Sequence, residues 1–194
     1  MSSLIFEPSS GKYYYHYPFP VAIVGVKAGE KVNFMSAAWH TQLSFDPPLY
    51  GVLISPKRYT NELLKQSSAF SVNFLKFEDY KTAGFVGRTS GRELDKVKTF
   101  GLKYFDGKVA TVPVLENAIA CYECKIVDSR TYGDHILYVG EILGIHYDKS
   151  YYENGLSKSL LLYHGNDRYT FANSESVKFG KEEVYDEINK NRKG

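Results

Sequence analysis

The sequence predicts one mainly β domain, a small antiparallel barrel with short helices inserted in the middle of the chain. Six or seven short runs rich in apolar and aromatic residues are separated by glycine- and proline-containing turns, which is typical of antiparallel strands. Strands and helices do not alternate regularly, and neither a G-x-G-x-x-G pattern nor a P-loop is present, which argues against a Rossmann domain. A length of 194 residues suits one domain with a real core.

The first part of the chain is predicted to be rich in strands. Residues 1–20 hold many tyrosines and prolines and predict an extended arm that lies on the domain surface or on a partner subunit. The elements expected after it are strands at 20–26, 32–39, 49–54 and 69–75, a turn at 27–31, a break at 46–48 and a short helix at 60–66. Thr60 is the expected N-cap of that helix.

The second part is predicted to pass from helices to a long hairpin. Its expected elements are two helical pieces within 78–100 broken at 87–91, a turn at 106–107, a strand through Cys121, a turn at 132–134 and a strand at 135–147. Ser90 and Glu93 have the spacing of a capping box for the second helical piece. These patterns divide the chain into an arm (1–20), a β domain (21–172) and a charged tail (173–194), for which a short helix is expected.

Composition narrows the class of protein. Hydrophobic residues make up 43% and charged residues 24% of the chain, as in ordinary soluble domains, and no apolar run is long enough for a spanning helix. The first residues lack the features of a secretory signal, so we expect a cytoplasmic protein without a membrane partner. A net charge of +2 argues against a nucleic-acid partner. Aromatic residues reach 15%, which suits strands and the stacking of planar ligands.

The two cysteines, Cys121 and Cys124, have the C-x-x-C spacing of redox and metal motifs. They lie in a stretch that alternates like a strand, where residues three apart face opposite sides. A zinc site would also need two further ligands. We therefore expect two buried thiols and no metal site.

Familiar catalytic motifs are missing. The chain has no G-x-S-x-G and no H-E-x-x-H pattern, and its five histidines are scattered without metal-ligand spacing. If the protein is an enzyme, a cofactor is expected to carry the reaction.

Two neighbouring segments are candidates for binding such a cofactor. Residues 33–49 combine small, hydroxyl and amide side chains, so that a flat ligand could approach the backbone closely; the same small residues could simply pack against another strand. Residues 54–60 place Lys57 and Arg58 just before a predicted helix, where an anion would be favoured. An ordinary capped helix with solvated cations is the alternative there.

The ordered set of segments resembles the flavin reductase-like family of FMN-binding split barrels, whose fold is antiparallel and of Greek-key type. The resemblance spans about residues 20–172. No single segment is specific. The segments that carry it are Asn33-Phe34-Met35-Ser36-Ala37-Ala38-Trp39, Ser44, Pro47-Pro48, Arg58-Tyr59-Thr60, Ala69-Phe70-Ser71-Val72-Asn73, Glu123-Cys124-Lys125, Gly133-Asp134-His135, Gly140-Glu141, Leu162-Tyr163-His164-Gly165 and Tyr169.

The resemblance implies FMN as cofactor and a set of binding residues. The isoalloxazine ring would be lined by Asn33, Phe34, Met35, Ser36, Ala37, Ala38 and Trp39, and the ribityl phosphate would be held by Ser55, Arg58, Tyr59 and Thr60. His135 would lie near the flavin and orient nicotinamide or a second substrate. Ala38 departs from the hydroxyl residue that relatives often have, and Ala69 from their acidic residue. The resemblance also implies a homodimer with FMN near the subunit interface.

The implied function is transfer of a hydride from NADH or NADPH to FMN, followed by transfer of electrons to free flavin, ferric iron or a partner. Because the cofactor would carry this reaction, no residue is expected to be essential as a catalytic acid or base. An alternative is an electron-transfer protein like flavoredoxin, without direct NAD(P)H activity. A third is a β-barrel binding module without a cofactor, whose tyrosine-rich surface contacts a protein or a single-stranded nucleic acid, although the small net charge argues against nucleic acid. Oxidation of NADH in the presence of free flavin or a ferric acceptor separates the first from the second.

Overall fold

The computed structural model describes residues 15–153, 156–157 and 159–172, with Phe6, Pro8 and Glu182 as isolated positions. Most of the predicted arm and almost all of the predicted tail, including its expected helix, lie outside the described residues. None of the helices within the described part of the chain is long and apolar enough to span a membrane.

The described chain consists of fourteen strands and three short α-helices. The strands are β1 (Phe19–Pro20), β2 (Ala22–Ala28), β3 (Lys31–Ala37), β4 (His40–Phe45), β5 (Pro48–Ile54), β6 (Ala69–Leu75), β7 (Tyr104–Asp106), β8 (Pro113–Leu115), β9 (Ala118–Tyr132), β10 (His135–Tyr147), β11 (Tyr152–Glu153), β12 (Leu156–Ser157), β13 (Leu161–Gly165) and β14 (Arg168–Phe171). The helices are α1 (Tyr59–Leu64), α2 (Tyr80–Arg88) and α3 (Lys96–Phe100), with 3-10 turns at Phe77–Asp79 and Lys149–Tyr151.

Seven strands form the main sheet, in the order β3-β2-β6-β9-β10-β5-β4, and every pairing is antiparallel. Its two edge strands, β3 and β4, are consecutive in the chain and are joined by Ala38 and Trp39 alone. A connection this short requires the sheet to curl until its edges approach each other. Near this point the amide of Leu53 donates to the Trp39 carbonyl at 2.9 Å. The prediction of a mainly antiparallel β fold with short helices is confirmed.

Two apolar clusters support the sheet. The first includes Val24, Phe70 and Val72 of the central strands together with Leu63 and Leu64 of α1. The second lies where α2 packs against β3 and contains Phe34, Ala83, Val86 and Leu161. Burial of this second cluster holds α2 beside the edge strand, so that the segments flanking α2 lie near the end of β3.

Several predicted details were wrong. The break expected at 46–48 is confirmed as a tight turn at Asp46 and Pro47, but β4, the strand that precedes it, was not predicted. Thr60 is not the N-cap of α1: its hydroxyl is buried and accepts a hydrogen bond from Asn33 at 2.9 Å, while Arg58 holds the cap position. Tertiary packing has therefore replaced the local capping interaction.

The second helical piece begins later than its capping box implies. Ser90 and Glu93 form a turn in which the Ser90 carbonyl accepts from the Glu93 amide. Asp95 is the N-cap of α3 and accepts from the Lys98 amide at 3.0 Å. The segment between α2 and α3 is thus a loop, and it is free to line a site.

Both cysteines are buried and reduced, as expected. Cys121 pairs with Asn73 across the sheet and Cys124 pairs with Phe70, so the two thiols face opposite sides of the sheet. Burial and the charge of Glu123 raise the pKa of Cys124 to about 12, and burial likewise raises the pKa of Cys121. Both thiols are therefore neutral packing groups.

Candidate functional site

A cavity of about 410 Å³ lies at the free edge of β3. It is bounded by the end of β3, by the segment that joins β5 to α1 and by the loop between α2 and α3. The structure brings ten of the eleven sequence-predicted binding residues around it, and His135 as well: Asn33, Met35, Ser36, Ala37, Ala38, Trp39, Ser55, Arg58, Tyr59 and Thr60. We call this space the first cavity.

Phe34 is the predicted residue that does not line the first cavity. Its side chain is fully buried in the second apolar cluster, and its carbonyl accepts a hydrogen bond from the Lys96 ammonium at 2.9 Å. The Phe34 carbonyl accepts from α3 and not from β2, so it points to the free edge of β3. Peptide groups alternate along a strand, so the main-chain N–H and C=O of Ser36 point to the same free edge.

The base of the first cavity is fixed by tight packing. The buried Asn33 amide donates to the Thr60 hydroxyl, which ties β3 to α1. A Cβ added at Gly91 would lie 2.4 Å from a Tyr59 ring carbon and 2.5 Å from Asn33 Oδ1. The loop between α2 and α3 can therefore approach β3 and α1 this closely only with glycine at this position. Ser36 completes the wall by donating to the Ala83 carbonyl of α2 at 2.6 Å.

Lys96 places a buried positive charge at the first cavity. It is 3% exposed, and its ammonium donates to the carbonyls of Phe34 and of Val86, the latter at 2.7 Å. Among the described residues no carboxylate pairs with it. Burial and the nearby positive charge of Arg58 lower the pKa of Lys96 to about 8. A buried cation without a counter-charge is unfavourable in the free protein, and an anionic ligand would relieve this.

Further cations surround the same space. Arg58 and Lys57 are exposed on the segment before α1, and Arg58 has no ion-pair partner in the part of the chain that is described. Arg92 is held by Glu62 and by the Lys57 carbonyl, to which it donates at 3.1 Å. Because α1 has six residues, the side chains and not a helix dipole supply the positive charge.

Aromatic side chains form the outer rim. The Trp39 and His135 rings lie 4.6 Å apart, and Trp39 Nε1 donates to the Tyr17 hydroxyl at 3.2 Å. His135 Nδ1 bonds Asp134 at 2.7 Å, and this hydrogen bond lowers the pKa of Asp134. Trp39 stays 46% exposed, so the rim can contact a molecule arriving from solvent.

A second cavity, of about 340 Å³, adjoins the first. The two share one wall, made by Ser36, Ala37, Ala38, Arg58, Gly87 and Tyr163. Arg88 and Asp167 also line the second cavity. They form an ion pair with two hydrogen bonds, which joins the end of α2 to the turn between β13 and β14. A compound in the second cavity would thus lie directly beside a ligand of the first.

Sequence reasoning missed the loop between α2 and α3. Thr89, Ser90, Gly91, Arg92 and Glu93 line the first cavity with Lys96, Tyr17 and Tyr163. Ser90-Gly91-Arg92 has the composition of a binding loop, and this signal was available. Lys96 carried no such signal, because its burial depends on the packing of α3 against β3.

Fold and site define a small antiparallel β protein with a polar, cationic cavity at the free edge of its curled sheet. Residues 14–172 match the family model described as flavin reductase like domain, and the chain belongs to this family. The resemblance that the sequence indicated is therefore confirmed.

Individual relatives agree with this assignment. An FMN-binding protein from Thermus thermophilus, solved with bound 1-cyclohex-2-enone, is 37% identical with a TM-score of 0.84, over 92% of this chain and 100% of that one. A ferric-chelate reductase (NAD(P)H) from Archaeoglobus fulgidus is 33% identical over 60% of this chain and 66% of that protein. Flavoredoxin from Methanosarcina acetivorans shares the fold, with a TM-score of 0.81 at 24% identity over 92% of this chain and 97% of that one.

Proposed function

We propose that the protein is an FMN-binding oxidoreductase in which NADH or NADPH reduces the flavin, and the flavin passes electrons to free flavin, ferric iron or a partner protein. The observation that carries this proposal is the first cavity, where small residues, a free strand edge and a buried lysine meet. Membership of the flavin reductase-like family supports it, as does the name of the Archaeoglobus relative.

The residues of the first cavity fit the ring of FMN. Met35, Ala37 and Ala38 leave a flat ligand room to reach the backbone, and the main chain at Ser36 offers a donor and an acceptor to the edge of a ring. Lys96 would stabilise negative charge on the bound ligand. Bound FMN supplies hydride and electron transfer, so no acid or base of the chain is required.

The cations at the other side fit the phosphate of FMN. Arg58 and Lys57 are exposed and available, and Ser55 and Thr60 supply hydroxyl groups within the same cavity. Charge-assisted hydrogen bonds from a guanidinium to phosphate are among the stronger ones in proteins. His135 and Trp39, at the rim, would orient the nicotinamide or another second substrate.

A flavoredoxin-like function without direct NAD(P)H activity is the second candidate. The exposed Trp39 at the rim favours it, because an aromatic surface beside the cofactor suits contact with a redox partner protein. We further propose a homodimer and a cytoplasmic location.

The first test is the visible absorption spectrum of the purified protein after FMN is added and the mixture is desalted. A retained flavin spectrum is expected; a colourless protein that does not quench FMN fluorescence would contradict both functions. The loaded protein is then mixed with NADH or NADPH without oxygen. Bleaching of the flavin supports the reductase, whereas bleaching only by a reduced partner protein supports the electron-transfer function.

A further inference from the structure

The short segment before β2 is held against the body of the fold. Within it β1 pairs with β13, and the buried His40 of β4 donates from Nε2 to the Pro20 carbonyl at 2.9 Å. His40 Nδ1 accepts from the Tyr50 hydroxyl at 2.6 Å. Burial lowers the pKa of His40, so the ring is neutral at pH 7 and offers one donor and one acceptor. Tyr17, two residues before β1, therefore has a defined place in the fold.

Tyr17 extends from this segment to the rim of the first cavity. Its half-buried side chain lines the cavity, and its hydroxyl accepts the hydrogen bond from Trp39 Nε1 at 3.2 Å. Its ring packs near Tyr163, with 6.0 Å between the centroids. On its other side Trp39 contacts His135, which is bonded to Asp134. The indole thus lies between the segment before β2 and the turn that joins β9 to β10.

Trp39 needs such contacts to keep one position. It lies in the two-residue connection between β3 and β4, and about half of its side chain is exposed. A side chain this exposed samples several rotamers unless another group holds it. The indole N–H can only donate, so the phenol oxygen of Tyr17 is a suitable partner. Tyr17 restricts the indole before a ligand arrives, and preorganisation of this kind increases affinity.

We propose that Tyr17 is a positioning residue: it holds the Trp39 indole at the rim of the first cavity and thereby slows the release of the ligand bound there. The inference rests on the proposed function in one respect, because the ligand whose release is measured is FMN. Tyr17 acts through Trp39, and its effect requires no transfer of a proton or an electron.

The first measurement uses the single tryptophan of the chain, whose emission reports on Trp39 alone. Excitation at the red edge of the absorption band reaches the indole and not the 17 tyrosines. In the FMN-free protein, Tyr17→Phe should lower the time-resolved anisotropy of Trp39, because the indole gains rapid motion. Phenylalanine keeps the ring that packs near Tyr163, so the variant retains its fold. Tyr15→Phe, the same change on a side chain of this segment that is 91% exposed, is the matched control and should leave the anisotropy unchanged.

The second measurement follows FMN by stopped-flow fluorescence, with the rates of binding and release taken from their dependence on protein concentration. Tyr17→Phe should speed the release of FMN about threefold without changing the association rate, as for the loss of one exposed hydrogen bond. Trp39→Phe should speed release as well. In the Trp39→Phe background, Tyr17→Phe should have no further effect, because the group through which Tyr17 acts has been removed. Tyr15→Phe should match the wild type.

Three results would overturn the proposal: unchanged anisotropy in Tyr17→Phe, unchanged release of FMN, or effects of the two variants that multiply in the double variant. The last result would show that Tyr17 contacts FMN independently of Trp39. A protein that takes up no FMN would contradict the proposed function. The anisotropy of the FMN-free protein would then still decide whether Tyr17 holds Trp39 in place.

Discussion

At the residue scale, Lys96 is the group whose protonation state should affect the affinity for an anionic ligand most strongly. Its charge is buried, and no carboxylate among the described residues pairs with it. Burial and Arg58 lower its pKa to about 8, so it is mostly charged at pH 7 and loses its proton as the pH rises above 8. A bound anion favours the charged form. Binding therefore takes up a proton in this window, and affinity for FMN should fall as the pH rises above 8.

The Lys96→Met variant tests this expectation. FMN affinity, measured by fluorescence quenching from pH 6.5 to 9, should drop by at least about tenfold at pH 7 and lose its dependence on pH. Lys98→Met, an exposed lysine on the same helix, is the control. Wild-type affinity that stays constant through pH 9 would contradict the role of Lys96.

At the element scale, Glu123 of β9 holds the loop that precedes β8. Its carboxylate is 1% exposed and accepts from the amides of Lys108, Val109 and Ala110 at 2.7–2.9 Å and from His146 at 2.6 Å. Burial alone would raise its pKa, but the His146 hydrogen bond and the three amides lower it below the ordinary value. Glu123 therefore stabilises the fold above the pKa it has in the unfolded chain, and this stability is lost as the pH falls through the lower folded pKa.

Glu123→Gln should lower the free energy of unfolding by about 2–4 kcal/mol at pH 7, because an amide N–H would face the backbone donors. Urea unfolding measures the difference, with exposed Glu116→Gln as control. The wild type and the variant should converge as the pH falls below the ordinary glutamate range near 4.3. An undiminished difference at pH 3 would contradict this account.

Sequence reasoning succeeded where the signals for an element are local. Period-two alternation and turn residues located β6, β9 and β10. The two candidate binding segments, at the end of β3 and the start of α1, were located by small residues, prolines and cations that are close together in the chain. Alternation could not have separated Phe34 from the lining residues, because Phe34 shares a face of β3 with Ser36, which lines the first cavity.

The rest of the site depends on contacts between distant parts of the chain. Lys96 reaches the Phe34 carbonyl across 62 positions, and Gly91 fits only because Tyr59 and Asn33 are already packed there. Thr60, which was predicted to cap α1, instead accepts a hydrogen bond from Asn33. Local propensity carries no information about such pairs, so a sequence without relatives leaves them undetermined.

At the scale of the whole molecule, one face of the sheet is unusually apolar for a surface. Phe45 of β4 is exposed with Leu143 and Ile145 of β10, and Phe45 reaches 86%. Phe45, Leu143 and Ile145 border a groove of about 550 Å³ with Pro48 and the two tyrosines Tyr50 and Tyr122. Exposed apolar patches of this kind mark interaction surfaces, and we expect a second copy of the chain to cover this one. The groove lies toward the end of β5 and β10 opposite to the first cavity, which differs from the interface close to FMN that the family resemblance implies.

The double variant Phe45→Ser with Ile145→Lys should therefore convert a dimer into a monomer. Each chain has a mass of 22.0 kDa, so sedimentation equilibrium should report about twice that mass for the wild type and a single chain for the variant. Lysine at position 145 would have to be buried without a partner, which opposes association more strongly than the loss of contact alone. Phe85→Ser, an exposed aromatic of α2 outside the groove, should stay dimeric. A monomeric wild type at micromolar concentration, or equal dissociation of the Phe85 control, would show that this face does not join two copies.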